Sequence, residues 1–178
     1  MKRIFYFVVF LIVSISGYAQ ELGPANSFSA GLQIANYQKD FGIGLNIASP
    51  YFAGDYLAIR VRSNMMWYEH IDNNSKFTWT TYSNHSLGLA SVAGRINDNF
   101  RLYGEGGLIL ILPSSAFSSE DIEVGGYGLF GFEFHFSTND NYYIELGSVG
   151  TGAIADKVPG EPIYSNGFAI NVGYRHHF

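Results

Sequence analysis

The chain has 178 residues, 47% hydrophobic and 14% charged, with 17% aromatics, 21 glycines and no cysteine. That length suits one domain, or one small domain behind a targeting segment; disorder conflicts with the aromatic content, and disulfides or thiolate metal sites are excluded. A formal charge of −5, from 10 basic and 15 acidic residues, argues against a nucleic-acid partner, which requires a clustered basic surface.

In chain order, Lys2 and Arg3 come first, then an apolar run from Ile4 to Val13 and the small residues Ser14, Ser16, Gly17 and Ala19. A positive start, a short apolar core and the small-x-small site Gly17-Tyr18-Ala19 predict a secretory signal peptide over 1–19. A spanning helix would need ~20 apolar residues, and this run is shorter. No cysteine follows the site, so lipoprotein processing is excluded. Losing Lys2 and Arg3 leaves 8 basic residues against 15 acidic ones, a mature charge of −7.

Beyond residue 20 the longest purely aliphatic run is Leu108 to Leu112, and helical periodicity is missing. Alternation with period two recurs instead. Phe41, Ile43, Leu45 and Ile47 alternate with Gly42, Gly44, Asn46 and Ala48, and Leu57, Ile59 and Val61 with Ala58, Arg60 and Arg62. Phe130, Phe132, Phe134 and Phe136 alternate with Leu129, Gly131, Glu133 and His135. The pattern predicts eight strands, near 27–36, 41–49, 56–70, 76–95, 99–111, 124–136, 142–152 and 166–178. The expected fold is all-β: an eight-stranded antiparallel up-and-down transmembrane β-barrel over residues 20–178.

Connections and aromatics support a membrane barrel. Asn97-Asp98-Asn99 and Ser137 to Asn141 read as tight polar turns, whereas 71–75, 112–123 and 153–165 are longer links. Short periplasmic turns and long external loops are the asymmetry of outer-membrane barrels. Trp67, Tyr68, Phe77, Trp79 and Tyr82 flank one long loop. Tyr51, Phe52, Tyr56, Phe100, Phe136, Tyr142, Tyr174 and Phe178 gather at the opposite strand ends, so two interfacial belts are expected.

The last segment, Phe168 to Phe178, alternates apolar residues and ends in Phe. It resembles the terminal strand of Gram-negative outer-membrane barrels, and the whole plan is similar to the small OmpX-, OmpW- and OmpA-membrane-domain-like proteins. The resemblance implies an outer-membrane location and a terminal strand, with Tyr174 and Phe178, that the barrel-assembly machinery reads. His176 stands where that pattern has an apolar residue. Outer-membrane lipid and lipopolysaccharide are the expected surroundings of a monomer.

Arg60, Arg62, Arg101, Glu105, Glu133, Glu145 and Arg175 all lie opposite the apolar parity of their strands. An Arg facing lipid at mid-bilayer would cost about 2–4 kcal/mol, so all seven are expected inside, as a paired network filling the lumen. Eight strands leave room only for side chains, which excludes a general porin. A soluble lipocalin-like carrier would need an apolar interior, and this interior carries the charges.

Catalytic signals are weak. His135 and Ser137 have the His-x-Ser spacing of lipid A deacylases, with Glu145 in the next strand as a third member. Their position at a periplasmic turn counts against that reading, and Asn84-His85-Ser86 puts its His and Ser on opposite faces of a strand. Glu120, Asp121, Glu123, Asp156 and Glu161 form acidic loop patches, read as solvated; neither a metal nor a cofactor is expected. The main expectation is a structural or surface-binding outer-membrane barrel acting through its external loops, with a lipid A-modifying enzyme as the alternative.

Overall fold

The computed structural model describes residues 26–72, 75–97 and 99–178. The segment read as a signal peptide lies outside the described residues. Eight strands follow in order: β1 (Ser29–Tyr37), β2 (Asp40–Ala48), β3 (Leu57–Ile71), β4 (Phe77–Asn97), β5 (Phe100–Leu112), β6 (Glu123–His135), β7 (Asp140–Gly150) and β8 (Gly167–His177). Each pairs antiparallel with the next, and β8 pairs with β1 from Ser29↔His177 to Tyr37↔Ala169, which closes the barrel. Closure satisfies every ladder without leaving an edge, the condition for crossing lipid with strands.

The register fixes the width. A line across the strands from Gly31 passes Asn46, Arg62, Ser86 and Ile109 and meets β6 at Gly125. Drawn the other way it passes Arg175 and Asn141 and meets β6 at His135. Positions 125 and 135 are ten residues apart, so the strands are strongly tilted around a narrow interior. By the short-turn, long-loop rule, the rim carrying Ser29 and His177 is periplasmic. The links 113–122 and 151–166 are then external. β3 and β4 are the longest strands, at 15 and 21 residues, and their hairpin stands above the external rim.

The outer face is apolar around the whole waist: Leu32, Leu45, Leu87 and Leu108 are 64%, 59%, 57% and 65% exposed. A soluble monomer rarely exposes a contiguous apolar patch beyond a few hundred Å². A bilayer is the medium this surface fits, and a soluble carrier is not. Phe77 and Trp79 face outward near the external rim; Phe28, Tyr56, Phe136, Tyr142 and Phe178 do so near the other.

Three rings expected in those belts lie elsewhere. Tyr68 and Tyr82 are buried inside the barrel. Tyr68 shares the inward parity of Arg60 and Arg62, and Tyr82 that of Asn84 and Ser86; position along the strand had suggested a belt, but side-chain direction decides. Tyr51, in the β2–β3 link, turns beneath the barrel and lies 4.5 Å from the Arg101 guanidinium.

Candidate functional site: the filled lumen and the external cap

Strand parity sends Arg60 and Arg62 (β3), Arg101 and Glu105 (β5), Glu133 (β6), Glu145 (β7) and Arg175 (β8) into the lumen, all at most 5% exposed. There they meet. Glu133 Oε1 accepts from Arg60 Nη2 and Arg175 Nη1, both at 2.6 Å, and its Oε2 accepts from Arg101 Nη1 at 3.3 Å. Glu105 takes both Arg62 η nitrogens (Nη2 at 2.7 Å), Arg60 Nη1 at 3.1 Å and the Tyr127 hydroxyl at 2.7 Å. Glu145 Oε1 accepts from Tyr103 OH at 2.6 Å and Arg62 Nη2 at 2.8 Å, and Oε2 from Asn171 at 3.0 Å. Burying so many ions is tolerable only with this degree of pairing.

Tyrosines complete the arrangement, and sequence reasoning missed them. The Arg60 guanidinium lies 4.0 Å from the Tyr103 ring centre and that of Arg175 lies 3.8 Å from Tyr143, both within cation–π range. Each ring covers a glycine on the neighbouring strand: a Cβ on Gly131 would strike Tyr103, and one on Gly173 would strike Tyr143. Glycine is therefore required there by space, not by backbone conformation. Amides extend the network. Tyr143 OH donates to Gln33 Oε1 at 2.8 Å, Gln33 donates to Asn64 at 2.6 Å, and Asn64 donates to Asn84 at 2.7 Å. The available signal was parity: Tyr103 alternates in phase with Arg101 and Glu105, and Tyr143 with Glu145.

Above the charges the lumen turns apolar. The external links send Phe117 and Tyr164 inward, where their rings pack 4.8 Å apart and lie 5.2 and 5.6 Å from Tyr68. Ile109, Ile111, Val149 and Val158 complete this layer. Burial raises the Tyr164 hydroxyl to about 12, so the ring stays neutral. Buried Asp40, at the head of β2, accepts from Tyr82 OH at 2.6 Å and from the Ser165 amide at 2.5 Å, tying the last loop to the first hairpin. The two links are also joined to each other. The Lys157 amide donates to Phe117 O at 3.1 Å, and the Ser119 amide donates to Asp156 Oδ1 at 2.7 Å. Those Ser119 bonds, from hydroxyl and amide, hold the Asp156 carboxyl below its ordinary range. The external mouth is thus covered by a cap of two links bonded to each other and to the first hairpin.

The structure does not bring His135, Ser137 and Glu145 together. His135 points into the lumen with its Nε2 3.7 Å from Glu133. Ser137 lies in the β6–β7 turn and donates to Asp140 at 2.6 Å, while Glu145 is occupied by arginines. His135 faces Glu133 and Ser137 faces Asp140, so the imidazole is not placed to activate that hydroxyl. Among the described residues no three His, Asp or Glu side chains converge as a metal site; Asp156 bonds to Ser119 instead. Tyr174 and Phe178 lie at the periplasmic rim, with Tyr174 OH donating to Asp140.

No protein-family model matches the sequence, and neither does any curated protein. Among solved structures, the N-terminal β-barrel domain of Pseudomonas aeruginosa OprF is similar at a TM-score of 0.60 and 15% identity, covering 86% of this chain and 98% of that one. The NanC porin aligns at a TM-score of 0.35 and 11% identity, over 86% of this chain and 74% of that one. The OprF likeness is one of fold. Together with the apolar waist and charged interior, it makes this chain a membrane β-barrel with the architecture of the small outer-membrane barrels.

Proposed function

We propose that the protein is a small outer-membrane barrel whose lumen is a packed structural core, and that it acts through its external cap as a structural or surface-binding element. The observation that carries this reading is the double filling of the lumen. Three saturated glutamates occupy its centre, and Phe117 with Tyr164 occupies the external mouth. Such an interior leaves no aqueous path for solutes, while the cap presents an ordered platform outward. In this reading the terminal strand, with Tyr174 and Phe178, serves insertion by the barrel-assembly machinery, and a monomer sits among lipopolysaccharide and phospholipid.

The test places an epitope after Asp121 in the β5–β6 link or after Asn139 in the β6–β7 turn. Exposed loop tips accept such insertions. Antibody should label intact cells only for the Asp121 insertion, and purified wild type should give no steady conductance in planar bilayers. Labelling at Asn139 on intact cells, or a stable open channel, contradicts the proposal.

A further inference from the structure

The outer wall is not uniform. Across β7, β8, β1, β2 and β3 it carries an apolar groove of about 730 Å³, within the ~300–1,000 Å³ range of ligand sites. One edge follows a register row from Tyr142 through Tyr174, Leu32 and Leu45 to Ser63, and the other passes Val172, Ile34, Ile43 and Met65. Backbone at Gly44 and Gly173 forms part of the floor. Strand tilt makes the groove oblique, climbing from the periplasmic aromatic belt toward mid-wall.

At its lower end stands a polar pair. Asp140 and His176 face each other across β7 and β8, one outward position below Tyr142 and Tyr174. Asp140 Oδ1 accepts from His176 Nδ1 at 2.8 Å and from Tyr174 OH, and its Oδ2 accepts from Ser137 at 2.6 Å. His176 is further held edge-on by Phe178 at 5.1 Å, and its side chain is 43% exposed. With Nδ1 engaged, Nε2 is directed away from the carboxylate, and Asp140 Oδ2 retains accepting capacity. One anchored imidazole and one anchored carboxylate, each with an acceptor atom left open, therefore sit side by side at headgroup depth.

We propose that this groove and pair form a binding site for one periplasmic-leaflet phospholipid with a zwitterionic ethanolamine headgroup. An acyl chain lies along Leu32, Leu45 and Ile34. The ammonium donates to Asp140 Oδ2 and to His176 Nε2, which the Nδ1–H bond to Asp140 leaves as the ring's acceptor. The inference rests on the membrane placement above, and it gives His176 a reason to stand where an apolar residue would otherwise belong.

The test uses the full mature chain, purified in detergent, delipidated, and reloaded with phosphatidylethanolamine or phosphatidylglycerol before native mass spectrometry. Wild type should retain one phosphatidylethanolamine in preference to phosphatidylglycerol. His176→Ala should weaken retention about tenfold, the loss of one hydrogen bond to a charged group. Leu45→Trp, which fills the groove, should abolish retention, whereas Leu110→Trp on the far lipid-facing wall should not. Folding of each variant is checked by heat-modifiable migration. Equal retention of both lipids, or unchanged retention in folded His176→Ala, overturns the site. A wild type that shows no heat-modifiable band and fails to insert in vesicles overturns the membrane reading, and the groove with it.

Discussion

Each lumen glutamate serves at least two arginines, so removing one strands several cations rather than one. Arg60 touches Glu105, Glu133 and Glu145 at 3.1, 2.6 and 3.5 Å. Breaking a buried ion pair from one side costs about 3–5 kcal/mol, because the surviving charge keeps its desolvation penalty. Glu105→Ala and Glu145→Ala should therefore each lower the urea midpoint of the barrel in vesicles, by the equivalent of about 3 kcal/mol or more. Asp121→Ala, on an exposed loop, should leave the midpoint unchanged. Equal midpoints for wild type and both Glu variants would mean that the pairing does not stabilise the fold. The charged members of this network were legible in the sequence, because an ion out of phase with its strand's apolar set has only one tolerable direction. The tyrosines were not read with them: an aromatic ring suits lipid interface and lumen alike, and only parity separates the two.

At the scale of elements, the strands were readable and the cap was not. Alternation reports which face is wet, and closure then follows from pairing first strand to last. Loops carry no such period, so nothing marked Phe117 and Tyr164 as rings that fold back inside. The cap nevertheless behaves as one unit, joined by Lys157 to Phe117, Ser119 to Asp156, and Asp40 to Ser165. Asp156 is held below the ordinary carboxylate range when docked. Its contribution is thus fully present above that range and is lost as pH falls through the depressed value. The protection of the Lys157 amide, taken relative to the intrinsic exchange rate at each pH, should accordingly fall on acidification, and should fall at neutral pH in Phe117→Ala, where a buried ring is lost. Exchange at β5 amides should stay slow in both cases. Insensitivity of the Lys157 amide to both changes would show that the loops are not docked.

For the molecule as a whole, one arrangement accounts for composition, architecture and medium together. Few charges suffice because most of the surface meets lipid, and those on the strands are enclosed where they neutralise one another. Many glycines are needed because a narrow staggered cylinder must house Tyr103, Tyr127 and Tyr143 beside the arginines. β5 isolates the claim within a single stretch: Leu108 and Leu110 face outward, while Ile109 and Ile111 are at most 1% exposed inside the cap layer. All four are aliphatic, so chemistry cannot distinguish them and only direction can. The most direct measurement is therefore the nuclear Overhauser contact between lipid acyl protons and methyl groups, for the protein in nanodiscs. The account predicts strong contacts for Leu108 and Leu110 and none for Ile109 and Ile111; acyl contacts of similar strength at all four would contradict it.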